Sequence, residues 1–271
     1  MKKLVGVLVV LFMVISFGGV AHAEDPQYVI GFKYVQQRTF ENGKTVNRVA
    51  VGMHWNDGSG MVDANVVEQL WLYRLDDEEN QHPMELTNVV IQDGIREGFP
   101  RFSTFDGPWW FPGWSISNYY IADIAEELVP GTTYVIEVKC YGEDGIRYIA
   151  TVHFGEPANL PIVSSKSFKY EFDEDGNFYF HWDVPKGMFY LGPELLDRKP
   201  HVRAMLHFYN AGVLTDKIWV KIPYLMSGIF IPADWRIFDT EADYVEVGVE
   251  VRLQDSTYRT YSDYKELNKM P

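Results

Sequence analysis

Cysteine is all but absent: Cys140 is the single thiol in 271 residues. An exported chain held by disulfides carries an even set, so stability here has to come from packed cores. The catalytic signatures are missing too. The chain has no Gly-x-Ser-x-Gly elbow, no His-Glu-x-x-His, no Cys-x-x-Cys and no glycine-rich phosphate loop opening a helix. Basic residues are scarce, 24 against 38 acids, for a net charge of −14. Nucleic acid and anionic membrane both demand cationic counter-surfaces, so neither is expected as a partner. Helical periodicity is nearly missing as well. The one candidate, residues 121–128, is short and stops at Pro130-Gly131.

What is present begins with a leader. Lys2 and Lys3 precede an apolar run from Leu4 to Val20, and Ala21-His22-Ala23 offers a small-x-small cleavage site. This three-part plan is that of a secretory signal peptide. Residues 1–23 are therefore expected to be removed and the mature chain to be exported, periplasmic or secreted, without membrane insertion. Losing two lysines and no acid makes the mature chain more acidic still. No second long apolar run follows.

Alternation of period two dominates the rest. Val49, Val51, Met53 and Trp55 alternate with Arg48, Ala50, Gly52 and His54, giving one apolar face and one polar or small face. Asn42-Gly43 supplies the hairpin turn before them. The plan then repeats. Phe168, Tyr170 and Phe172 lead through Asp175-Gly176 to Phe178, Phe180 and Trp182. Residues 69–74 are similar to 205–210, and both 134–141 and 244–253 are long alternating strands. Two prolines within 155–161 restrict the backbone and block ladder pairing. Features in the same order on both sides of that segment mark a degenerate duplication. The expected units are 24–157 and 158–271, each able to fold alone, with Trp55 and Trp182 buried in their cores and 155–161 exposed.

The run Leu128-Val129-Pro130-Gly131-Thr132-Thr133-Tyr134, followed by alternating Ile136, Val138 and Cys140, resembles the E–F corner and F strand of fibronectin type III domains. The resemblance implies a tyrosine corner, in which the Tyr134 hydroxyl pins the loop, and it matches Trp55 and Trp182 to the buried tryptophan of the family's B strand. The expected fold is all-β: two tandem antiparallel β-sandwiches, fibronectin III-like or immunoglobulin-like. The second unit lacks the Leu-x-Pro-Gly-Thr run. Both carry additions, between Asp76 and Thr133 in the first and between Pro185 and Pro200 in the second.

Candidate sites are few. Cys140, on an inward strand position, reads as a small buried hydrophobe. His54 and His181 lie in different units with no second histidine two residues away, so no metal site is expected. The acidic loop 57–63 offers too few alternating oxygens for a calcium loop and reads as a turn. No catalytic residue, metal or cofactor is assigned. The outstanding feature is 105–114, which holds three of the eight tryptophans. Its prolines and glycines argue against a long regular strand, and it is read as a loop that either covers the sandwich or forms a platform. As a platform, Trp109, Trp110 and Trp114 supply the binding surface, with Asp106 and Asn118 as polar companions. The resemblance implies an exported, non-enzymatic binding or scaffold protein acting on a protein or glycan partner outside the cytoplasm. Carbohydrate binding through the tryptophans is the alternative, and a hydrolase with a carboxylate pair drawn from 38 acids is the third reading.

Overall fold

The computed structural model describes the backbone of residues 26–103, 107–238 and 241–267, and the side chains of these residues outside 92–118. The leader 1–23 and Asp106 lie outside the described residues. The fold is all-β. Among the described residues, sixteen strands run in the order β1 (Tyr28–Phe40), β2 (Thr45–Trp55), β3 (Val67–Leu75), β4 (Gln81–Pro83), β5 (Leu86–Ser103), β6 (Gly107–Ile124), β7 (Thr132–Cys140), β8 (Tyr148–Phe154), β9 (Lys169–Phe172), β10 (Phe178–His181), β11 (His201–Asn210), β12 (Val213–Pro223), β13 (Gly228–Ile231), β14 (Tyr244–Arg252), β15 (Tyr258–Tyr261) and β16 (Lys265–Glu266). One short helix, α1 (Pro193–Asp197), and a 3₁₀ turn at Lys186–Tyr190 occupy the 185–200 addition. No helix among the described residues is long and apolar enough to cross a membrane. Residues 121–128 are not helical: β6 continues to Ile124 and pairs Asn47↔Ile124 through Val51↔Tyr120 with β2.

Local chemistry sets the hairpins. Gly43 takes φ +83°, which an L side chain rarely adopts, and the Lys44 N–H donates to Asn42 Oδ1 at 2.9 Å. Strands β1 and β2 then pair antiparallel from Tyr28↔Trp55 to Thr39↔Thr45. The Val129 N–H donates to the Tyr134 hydroxyl oxygen at 2.8 Å, which is the hydrogen bond of a tyrosine corner. Tyr134 itself is fully buried.

Among the described residues two large apolar cores form, one mainly early and one late in the chain, beside a small third cluster of Tyr34, Ala50 and Ile121. The first joins Val35, Val49, Val51 and Met53 to Leu72, Ile136, Val138, Cys140 and Phe154, and also takes in Leu160, Leu253 and Tyr258. Leu160 is thus buried within the segment that sequence reading expected to be exposed. The second core joins Phe178, Phe180 and Trp182 to alternate residues of β11, β12 and β14. Trp55, by contrast, is 39% exposed. It ends β2, two residues past Met53, and the Tyr28 ring lies tilted beside it at a centroid distance of 5.1 Å.

Two sheets are wholly antiparallel, β4-β3-β7-β8 and β13-β10-β9. The third, in the order β11-β12-β5-β6-β2-β1-β15-β14-β16, departs from the antiparallel expectation at two joins. β1 meets β15 in parallel from Gln37↔Tyr258 to Phe40↔Tyr261. β12 meets β5 in parallel from Lys217↔Ile95 to Val220↔Gly98. Because β11 also pairs with β14 from His201↔Arg252 to Tyr209↔Tyr244, pairing runs in a closed circuit of eight strands. Strands from early and late in the chain complete one another's edges, which removes open hydrogen-bonding rows.

Candidate functional site

Within the circuit, β11 and much of β14 are buried on both faces. On β11, Val202, Ala204, Leu206 and Phe208 enter the second apolar core, while His201, Arg203, Met205 and His207 are buried on the opposite face. On β14, Val245, Val247, Val249 and Val251 alternate with Glu246, Gly248, Glu250 and Arg252 in the same way. From β1 come Tyr34, Gln36 and Arg38, and from β15 Arg259 and Tyr261. Contacts across the joins tie these together. The Arg259 guanidinium lies 4.9 Å from the centroid of the Tyr34 ring, and that of Arg38 lies 5.5 Å from the Tyr261 ring.

Glu250 is the anchor of this polar interior. It is fully buried, with its Oε1 at 3.1 Å from Arg259 Nη1, 3.9 Å from Arg252 Nη1 and 3.3 Å from the Tyr261 hydroxyl. Burial alone would push its carboxyl up. The guanidiniums of Arg259, Arg252, Arg203 and Arg38 outweigh that and hold it down at about 2. Arg252 is pressed below its ordinary value by burial and by the cations of Arg259 and Arg203. A carboxylate held this firmly ionised is a structural counter-ion and is unsuited to proton transfer near neutral pH.

The two histidines on β11 carry a pH consequence. His201 is held at about 3 by burial, then by Arg252, Lys221 and Arg203, against the opposing pull of Glu250. His207 is held at about 3 by burial and then by Lys217, with its ring stacked on Tyr264 at 4.4 Å. Both folded values lie below the ordinary 6.5. Their stability contribution is therefore complete above pH 6.5 and lost as the pH falls towards 3, because the unfolded chain takes up protons the native state refuses. Two such groups give a slope of up to about 2.7 kcal/mol per pH unit. Urea melts at pH 7, 6, 5 and 4 should show a steep fall, and His207→Phe should remove roughly half of it between pH 6 and 5.

The tryptophan segment lies elsewhere, and its backbone differs from the expected loop. Residues 107–124 form one strand, with Arg101↔Trp109, Pro100↔Trp110 and Phe99↔Phe111 paired across the β5–β6 hairpin. The pairings between 99–103 and 107–111 have no third strand among the described residues. A two-stranded ribbon tolerates Pro108 and Pro112 because a strand with one partner can turn its missing N–H away from the ladder. A register shift between Glu97 and Phe99 absorbs the extra residues around Gly113. Trp109, Trp110 and Trp114 therefore follow one another along β6. Asn118 is nine residues beyond Trp109, on the order of 30 Å along an extended strand, so it does not share the ribbon's end with Trp109. The side chains of these four residues lie outside the described ones, as does Asp106 altogether.

Of the remaining candidates, Cys140 is fully buried and its thiol is pushed up to about 12 by burial and then by Glu143. His181 is exposed on β10. Sequence reading missed the polar interior, although its signal was printed in the chain. Charged residues alternate with valines along β14, which looks the same whether the charges face water or a second layer. A search against family models and a search of curated proteins both find no match.

Proposed function

We propose that the chain is an exported, non-enzymatic binding or scaffold protein built from two fibronectin III-like units, 24–157 and 158–271, joined edge to edge. Three features support the two-unit reading: the tyrosine corner at Tyr134, the division of apolar side chains into two cores, and the recurrence of equivalent hairpins β1–β2 and β9–β10. The binding reading is carried by one observation, the ribbon continuing β5 and β6 past the strands that flank them. A ribbon rich in tryptophan presents large, stiff aromatic surface at low entropic cost, which suits a protein or glycan partner. Acidic composition disfavours nucleic acid as that partner.

The test is Trp109→Ala with Trp114→Ala on the mature chain. Binding to a glycan array and to candidate exported proteins should fall at least tenfold, with a melting temperature within 2 °C of the parent, as roughly expected for a surface change. A large fall in melting temperature would place these rings in packing instead. Loss confined to glycans would identify the protein as carbohydrate-binding.

A further inference from the structure

A recess lies where the base of the β5–β6 hairpin approaches the β11–β12 hairpin. It is a half-open recess of about 390 Å³, lined by Val90, Ile91, Ile121 and Leu214 together with the charged Arg48, Asp216 and Lys217. That volume falls within the range of about 300–1,000 Å³ usual for small-molecule sites. Its two ends differ in chemistry. Val90, 54% exposed, forms an apolar rim with Ile91 and Leu214. The inner end carries Lys217 and Arg48 beside the buried Ile121.

The charges at the inner end are unequal in their commitments. Arg48 Nε pairs with Asp123 Oδ1 at 2.7 Å, and Asp123 Oδ2 accepts from Asn88 Nδ2 at 3.2 Å, so both carboxylate oxygens are engaged. Asp216 accepts the backbone N–H of Lys217 at 2.8 Å. The Thr215 hydroxyl donates to the Phe208 carbonyl at 3.1 Å. The Lys217 amine is pressed down to about 8 by burial and then by Arg38 and Arg48. It still carries its proton at neutral pH, within the field of Arg38 and Arg48.

We propose that this recess binds a small amphiphilic carboxylate, such as a medium-chain fatty acid, with its head group on Lys217 and its chain along Val90, Ile91 and Leu214. An anionic head placed there forms a charge-assisted hydrogen bond and relieves repulsion among Lys217, Arg38 and Arg48. The chain covers apolar surface now facing water, each buried methylene adding roughly fourfold in affinity. The site uses none of the ribbon's tryptophans and is independent of the partner proposed above.

Isothermal titration of the mature chain with octanoate, acetate and 1-octanol at pH 7 tests the proposal. Octanoate should bind at least tenfold more tightly than either, since only it carries both head and chain. Lys217→Met keeps the aliphatic stem and removes a charge crowded by cations, so the melting temperature should hold or rise. Its octanoate affinity should fall to that of 1-octanol. Val90→Ser, at an exposed position, should weaken octanoate severalfold and leave acetate unchanged. Octanoate binding no tighter than 1-octanol, or unaffected by Lys217→Met, overturns the proposal.

Discussion

Glu250→Ala is expected to destabilise the protein by about 3–5 kcal/mol at pH 7, the cost of leaving buried cations without their counter-charge. The carboxylate is fully enclosed, with Arg259 at 3.1 Å and Arg252 at 3.9 Å. Arg203 and Arg38 also act on it through space. Removing it strands several guanidiniums that strand pairing holds in place, and repulsion among them replaces attraction. Glu250→Gln keeps the shape but not the charge and should fall between alanine and the parent. The pH dependence has a definite sign. The carboxyl is depressed from an ordinary 4.5 to about 2, so its contribution is complete above pH 4.5 and disappears as the pH falls towards 2. Urea denaturation of parent and variant should therefore converge as the buffer is acidified. A loss under about 1 kcal/mol at pH 7 would mean that water reaches this interior and screens the charges.

The same residue shows where sequence reasoning stopped. Strand periodicity marked Val49, Val51 and Met53 of β2 as inward and 244–253 as an alternating strand, because a core selects apolar residues at period two, but it also put Trp55 on the inward face, where the ring is 39% exposed. The tyrosine corner was legible through the resemblance of residues 128–134 to the corner of fibronectin type III domains, and the Val129 N–H does donate to the Tyr134 hydroxyl oxygen. The polar alternates carried no comparable information. Arg38, Arg203, Glu250 and Arg259 look like solvated residues until β1 meets β15 and β5 meets β12. Those joins link residues more than a hundred positions apart, and no local signal encodes them. The recess at Lys217 is assembled from β2, β5, β6 and β12 and was hidden for the same reason. The proline-bearing ribbon was misread because proline excludes a strand only where the ladder demands its N–H.

Register also decides the fate of the two matched tryptophans, and here the expected results diverge. Trp182→Ala should cost about 3–5 kcal/mol, the range for deleting a buried aromatic. Trp55→Ala should cost about 1 kcal/mol or less, as for a partly exposed ring. Trp182 is 3% exposed, against 39% for Trp55. It sits 5.2 Å from Phe180, with its backbone N–H donating to the Ser227 carbonyl at 2.8 Å. After it the chain folds back through the 3₁₀ turn at Lys186–Tyr190, and Met188 from that turn is buried in the same core. Trp55 receives no such cover. The chain turns at once, with the Gly58 N–H donating to the Trp55 carbonyl at 3.1 Å, and the Tyr28 ring lies tilted against its own. The two tryptophans thus differ because the chain after Trp182 folds back over its core while a tight turn after β2 leaves Trp55 open. Parallel urea titrations of the two variants should separate their midpoints clearly. Equal losses would mean that the Trp55 ring packs as deeply as its counterpart, and that the turn after β2 is not the open end described.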